Sequence, residues 1–262
     1  MADDAKTGLA DILAAAEPID GGLALTIPES WLQGRTAYGG LTSAIALAVA
    51  QGASPDLPPL RSGQLAMVAP LAGRIEARAR VLRQGRNATW VAVDLSNDSG
   101  VGFTASFVFM RRIENRLNIA GYPLPDGVIP VDAAPPVPMD VAPAFLRNHF
   151  EARFGLPPTD EADLCWWIRA RERQGLDPEV ACLLCGDVLP TAVWPLLSYS
   201  VPISSMHWHI NMLDAAPSAD GWWLIRSTSE LARDGAASEH ITQWSETGAP
   251  AIAGMQSVAV FG

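Results

Sequence analysis

The run Ser204-Ser205-Met206-His207-Trp208-His209 sets two hydroxyls beside a His-x-His pair. In an extended strand, residues i and i+2 point to one face, so His207 and His209 have the spacing of a metal pair. A third ligand must then come from His149, His240 or a carboxylate, and no zinc-type spacing connects these positions. No metal is expected, and the two histidines are read as packing residues of an ordinary strand. Cys182-Leu-Leu-Cys185 has a thioredoxin-like spacing, but the residues between are apolar and there is no second pair for zinc. Two cysteines acting as small hydrophobes on a buried helix is the better account.

The chain that positions these residues has 262 of them, 49% hydrophobic and 18% charged, enough for a sizeable core and too apolar for general disorder. Its formal net charge of −10 argues against nucleic acid or an anionic membrane as partners. A few local arginines remain able to hold a small anion. No window reaches the roughly 18–20 unbroken apolar residues of a membrane span. The start, Met-Ala-Asp-Asp-Ala-Lys, lacks the layout of a secretion signal, and an odd three cysteines argue against a disulfide framework. A cytoplasmic location is expected.

Along the chain, the first half reads as a strand ("GGLALTIPESWLQG"), a buried helix ("LTSAIALAVAQGA") and a long antiparallel meander. Ile75, Ala77, Ala79 and Val81 alternate with Glu76, Arg78, Arg80 and Leu82, the period of a half-buried strand. Residues 118–143 are crowded with Pro and Gly and read as a linker laid over the surface. The second half repeats the order. "AFLRNHFEARFG" and "DLCWWIRARERQG" read as strands, and "DPEVACLLCGDVLPTAVWPLL" as a helix capped by Asp177 with Pro178 at its first position. Three further strands follow. The expectation is an internally duplicated α+β protein, with a first unit at 1–117, a linker at 118–143 and a second unit at 144–262. Each unit wraps an antiparallel sheet on a buried helix.

That layout, with "RTAYGGLTSAIALAVAQ" in one half and "WWIRARERQGLDPEVACLLCGDVLP" in the other, resembles the double hotdog acyl-CoA thioesterases of the TesB-like, or thioesterase II, family. The resemblance covers nearly the whole chain. It implies an acyl-CoA substrate, no cofactor apart from the coenzyme A of that substrate, and either a monomer or a homo-oligomer of double hotdogs. It also implies an Asp on the second helix, a hydroxyl on the next strand and a late Gln, together orienting a water. Asp187, three residues before Pro190, matches the first, and Gln256 in "AGMQSVAV" the last. The hydroxyl falls on Ser204 or Ser205, or on neither if Ile203 holds the matching position.

A thioester suits this set. Its carbonyl is readily attacked, and the leaving thiol has a pKa of about 8.5, so expulsion needs little acid help. The enzyme must position a water, accept its proton and place donors at the oxyanion. Asp187 is a lone acid in the apolar run "VACLLCGDVLPTAVW", where burial raises a carboxylate's pKa. Gly39 and Gly40 read first as a tight turn permitting close backbone approach, with a ligand or oxyanion role as the alternative. Arg35 is a candidate for a CoA phosphate, against a solvated loop arginine. Two other functions stay open. One is a hotdog protein that binds an acyl thioester or lipid without turnover. The other is a hydratase, which needs an Asp–His pair drawn from His207, His209 or His240.

Overall fold

Helix formation in the middle of this protein is driven by burial rather than amphipathicity. The computed structural model describes all residues except 1–6, 118, 120, 198–200, 214, 216–219 and 262. The acidic start and Asn118, where the linker is expected to begin, therefore lie outside the described residues. The first half runs α1 (Leu9–Ala14), β1 (Glu17–Ile19), β2 (Gly22–Ile27), the short pair β3 (Leu32–Gln33) and β4 (Thr36–Ala37), and α2 (Gly39–Gln51). A meander of β5 (Leu60–Met67), β6 (Gly73–Gln84), β7 (Ala88–Asn97) and β8 (Gly100–Met110) closes it. The second half runs α3 (Ala144–His149), β9 (Phe150–Phe154), β10 (Asp163–Ala170) and α4 (Pro178–Gly186). It ends with β11 (Ile203–Met212), β12 (Trp222–Arg233), β13 (Ala236–Ser245) and β14 (Pro250–Val260).

From Gly40 to Leu47 every residue of α2 is buried, as the apolar run predicts. Asp177 caps α4 as expected, its Oδ1 accepting from the backbone N–H of Glu179 at 2.9 Å and of Val180 at 3.3 Å. The helix is shorter than its apolar run. It stops at Gly186, because Pro190 disfavours helical backbone at Leu189 and removes a donor. The expected strand at "AFLRNH" is instead the helix α3. Phe145, Leu146 and His149 bury one helical face, with Phe145 stacked on Tyr38 and His149 on Trp31 at centroid distances of 4.2 and 3.7 Å.

Apart from the separate β3–β4 pair, the strands form one 12-stranded antiparallel sheet in the order β1-β2-β6-β7-β8-β5-β11-β14-β13-β12-β10-β9. The order is palindromic about the β5–β11 junction, so the two expected sheets are joined edge to edge. This is the double hotdog, α+β architecture. Three bulges repeat in both halves: Leu60/Ser62 with Ser205/His207, Val81/Arg83 with Ser229/Leu231, and Leu95/Ser96 with Gln243/Trp244. They fix the residue-by-residue correspondence between halves where sequence identity does not.

The Pro-rich segment packs on the outer face of the second half. Trp166 joins the main core, whereas Trp167 points the opposite way, into a smaller cluster with Trp222, Leu224, Trp244, Val131 and Ala134. Trp167 Nε1 donates to the Ile129 carbonyl at 2.8 Å, and Trp244 Nε1 to that of Tyr122 at 2.9 Å.

Candidate active site

A bulge decides which serine faces inward. Trp208 and Ile210 of β11 are fully buried, and strict alternation would turn Met206 and Ser204 inward with them. Ser205 instead pairs with Val258 and His207 with Ser257, so Met206 is the extra residue. Cross-strand partners share a face, and Val258 and Gln256 are buried, so Ser205 and Trp208 face the helices together. Ser204 is left exposed on the outer side.

Ser205 meets two other predicted residues there. Its Oγ donates to Asp187 Oδ1 at 3.3 Å. Gln256 Nε2 reaches the same Oδ1 at 2.5 Å and Ser205 Oγ at 3.0 Å. The backbone N–H of Gly40, in the first turn of α2, also bonds to the carboxylate. Asp187 is half-buried, and its pKa is pushed up to about 6. Burial is the main cause, opposed by the hydrogen bonds from Gln256, Ser205 and Gly40, and assisted by the charge of Glu239. Tyr38 supports the end of α4 by donating from Oη to the Leu184 carbonyl at 2.8 Å, and burial holds its phenol well above 10.

Gly39 and Gly40 stand at the start of α2, against this cluster. A side chain at Gly39 would collide with Asp187 Oδ2, and one at Gly40 with the Tyr38 ring. Both glycines are needed for close approach. Arg35 lies on the exposed turn between β3 and β4, next to Gly34 at φ +64°. His207 and His209 are exposed on the outer face of β11, where they line a groove with Gln64, Arg80 and Thr104. The reading of them as packing residues is therefore corrected, and the buried residue between them is Trp208. Among the described residues, no three His, Cys, Asp or Glu gather in a metal-binding group. Cys182 and Cys185 are free and buried, and burial pushes the Cys185 thiol up to about 12.

Sequence reasoning missed Glu239. It is 1% exposed, with Oε1 accepting from Thr191 Oγ1 and Oε2 from Ser227 Oγ at 2.9 Å. The alternation in "AASEHITQWS" (Ala237, Glu239, Ile241, Gln243) already put it on the apolar side, but a lone glutamate there is weak notice. The bulges identify first-half counterparts of the inward polar residues. Leu60 stands for Ser205, Ala79 for Ser227, Val91 for Glu239, Leu95 for Gln243 and Phe107 for Gln256. All five of these inward polar positions are apolar in the first half.

The molecule is a double hotdog with a polar, carboxylate-bearing cluster where the start of α2 meets the end of α4. The sequence profile of the acyl-CoA thioesterase C-terminal domain matches residues 96–260, and that of the acyl-CoA thioesterase N-terminal domain residues 27–110. The chain belongs to the acyl-CoA thioesterase family and is a thioester hydrolase. A search of curated protein sequences finds no match. Among solved structures, a hot dog fold protein of unknown function from Alicyclobacillus acidocaldarius superposes with a TM-score of 0.85 at 19% identity, covering 98% of this chain and 99% of that one. The acyl-CoA thioesterase II TesB2 from Mycobacterium marinum gives 0.77 at 16%, covering 97% and 98%. The tesB protein of Mycobacterium avium subs. paratuberculosis gives 0.76 at 18%, covering 96% and 98%. At these identities the likeness is one of fold.

Proposed function

We propose that the protein hydrolyses an acyl-CoA to the free acid and coenzyme A with a water activated by Asp187. The observation that supports this most is the convergence of Ser205 Oγ and Gln256 Nε2 on one carboxylate oxygen of a half-buried Asp187. A base that titrates near 6 is ionised at neutral pH yet still basic enough to take a proton from attacking water. Ser205 and Gln256 orient Asp187 and hold the water. The first amide of α2, Gly39 N–H, has no acceptor within the helix and stands beside Asp187; it is the donor assigned to the oxyanion. Attack forms the carbon–oxygen bond as Asp187 takes the proton. Collapse breaks the carbon–sulfur bond, the thiolate leaves, and it receives the proton from Asp187. Only thioester and water are consumed.

The test is thiol release from short, medium and aromatic acyl-CoAs. Asp187→Asn should lower kcat on the order of 10²–10⁴-fold, the usual contribution of a general base, with unchanged circular dichroism. An unchanged rate would remove Asp187 from the mechanism. Tight acyl-CoA binding without turnover by the wild type would favour a binding protein instead.

A further inference from the structure

Glu239 is a second buried carboxylate that the reaction above leaves unused. We propose that Glu239 is a positioning residue for hydrolysis, acting through Asp187 and the chain that leaves it, and touching neither substrate nor water. The inference rests on the reading of Asp187 as the base.

Three observations support it. Glu239 on β13 is the direct cross-strand partner of Gln256 on β14, so its side chain enters the same interior as the Asp187 cluster. Its Oε1 is held by Thr191, only four residues beyond Asp187, and its Oε2 by Ser227 of β12. The carboxylate thus ties the segment after α4 to the sheet, and with it the backbone that aims Asp187. Burying a carboxylate is costly, and among the described residues no cation pairs with it. Packing alone does not require it, because the first hotdog fills the equivalent place with Val91.

The charge has a direction of effect. The titratable groups that face Asp187 among the described residues are Tyr38, from the segment entering α2, and Glu239 from β13; Cys185 of α4 stands beyond Tyr38. Burial keeps the Tyr38 phenol and the Cys185 thiol protonated at neutral pH. That leaves Glu239 as the negative charge opposing ionisation of Asp187, which makes Asp187 the stronger base.

The experiment is a carboxyl ¹³C NMR titration of protein labelled at Asp and Glu, with the Asp187 signal assigned by its loss in Asp187→Asn. In Glu239→Gln, which keeps the shape and one acceptor and turns the other into a donor that a hydroxyl oxygen can accept from, the Asp187 midpoint should fall by about half a unit or more, as for any loss of a nearby like charge. An unchanged midpoint overturns the proposal. In the wild type, where folding is not in question, the Glu239 signal should show an inflection at the Asp187 midpoint, and its absence is equally fatal. Thr191→Val keeps the charge and releases the segment. It should lower kcat several-fold at similar KM, and an unchanged kcat would contradict the tethering role. The titration needs no turnover, so a protein releasing no thiol would sink the proposed function and leave this result readable.

Discussion

As the proposed base, Asp187 must be ionised to act, yet it is placed where ionisation is disfavoured. Its pKa is about 6 in the folded protein against 3.8 for a free side chain, mainly through burial. Between those values the folded chain binds more protons than the unfolded one, so stability falls as pH rises through that window and stays lower above it. Asp187→Asn should therefore stabilise the protein at pH 7.5 by on the order of 1–3 kcal/mol, the gain shrinking toward pH 4, as read from urea unfolding at the two pH values. Over the same range kcat/KM should rise with a midpoint near 6 as the base ionises. A flat profile between pH 5 and 8 would detach the base from Asp187.

At the scale of elements, the bulge at Met206 does what no side chain can. A strand's alternation is fixed at two, so one unpaired residue exchanges the faces of everything beyond it. It brings Ser205 inward while Trp208 stays in the core. Ser205→Ala should then lower kcat by roughly 10- to 100-fold through loss of one hydrogen bond in the transition state, whereas Ser204→Ala should match the wild type. Equal effects in the same thiol-release assay would refute the register. The duplicated bulge at Leu60/Ser62 shows the kink to be a property of the fold. The hydroxyl beside it is the addition made by this half.

For the whole molecule, the palindromic sheet sets up two equivalent places where one helix's start meets the other's end. Among the described residues, only one carries the Ser, Glu and Gln set of the proposed site. Leu60, Val91 and Phe107 stand where Ser205, Glu239 and Gln256 would be, and apolar side chains cannot orient a water. The start of α4 is engaged structurally instead, with Glu179 accepting from the Leu60 N–H at 2.8 Å and Gln51 donating to Asp177 at 3.1 Å. Calorimetric titration with a non-hydrolysable acyl-CoA thioether should give one site per chain. A stoichiometry of two would place a working site in the first half.

Much of this was legible in the residues alone. Periodicity marked the half-buried strands, the all-round apolar runs marked both central helices, and Asp177-Pro178 marked where α4 begins. Asp187 stood out as an isolated acid in an apolar run, and Gln256 by family resemblance. These signals are local, because side-chain period and capping act within a few residues. What the sequence left open depends on partners distant in the chain. Helix rather than strand at Ala144–His149 follows from stacking on Trp31 and Tyr38, about a hundred residues upstream. The choice of Ser205 over Ser204 follows from the pairing of β11 with β14, and the place of Glu239 from contacts on two further elements. Register and bulges are decided by which strands lie side by side, so only the tertiary structure could complete the site.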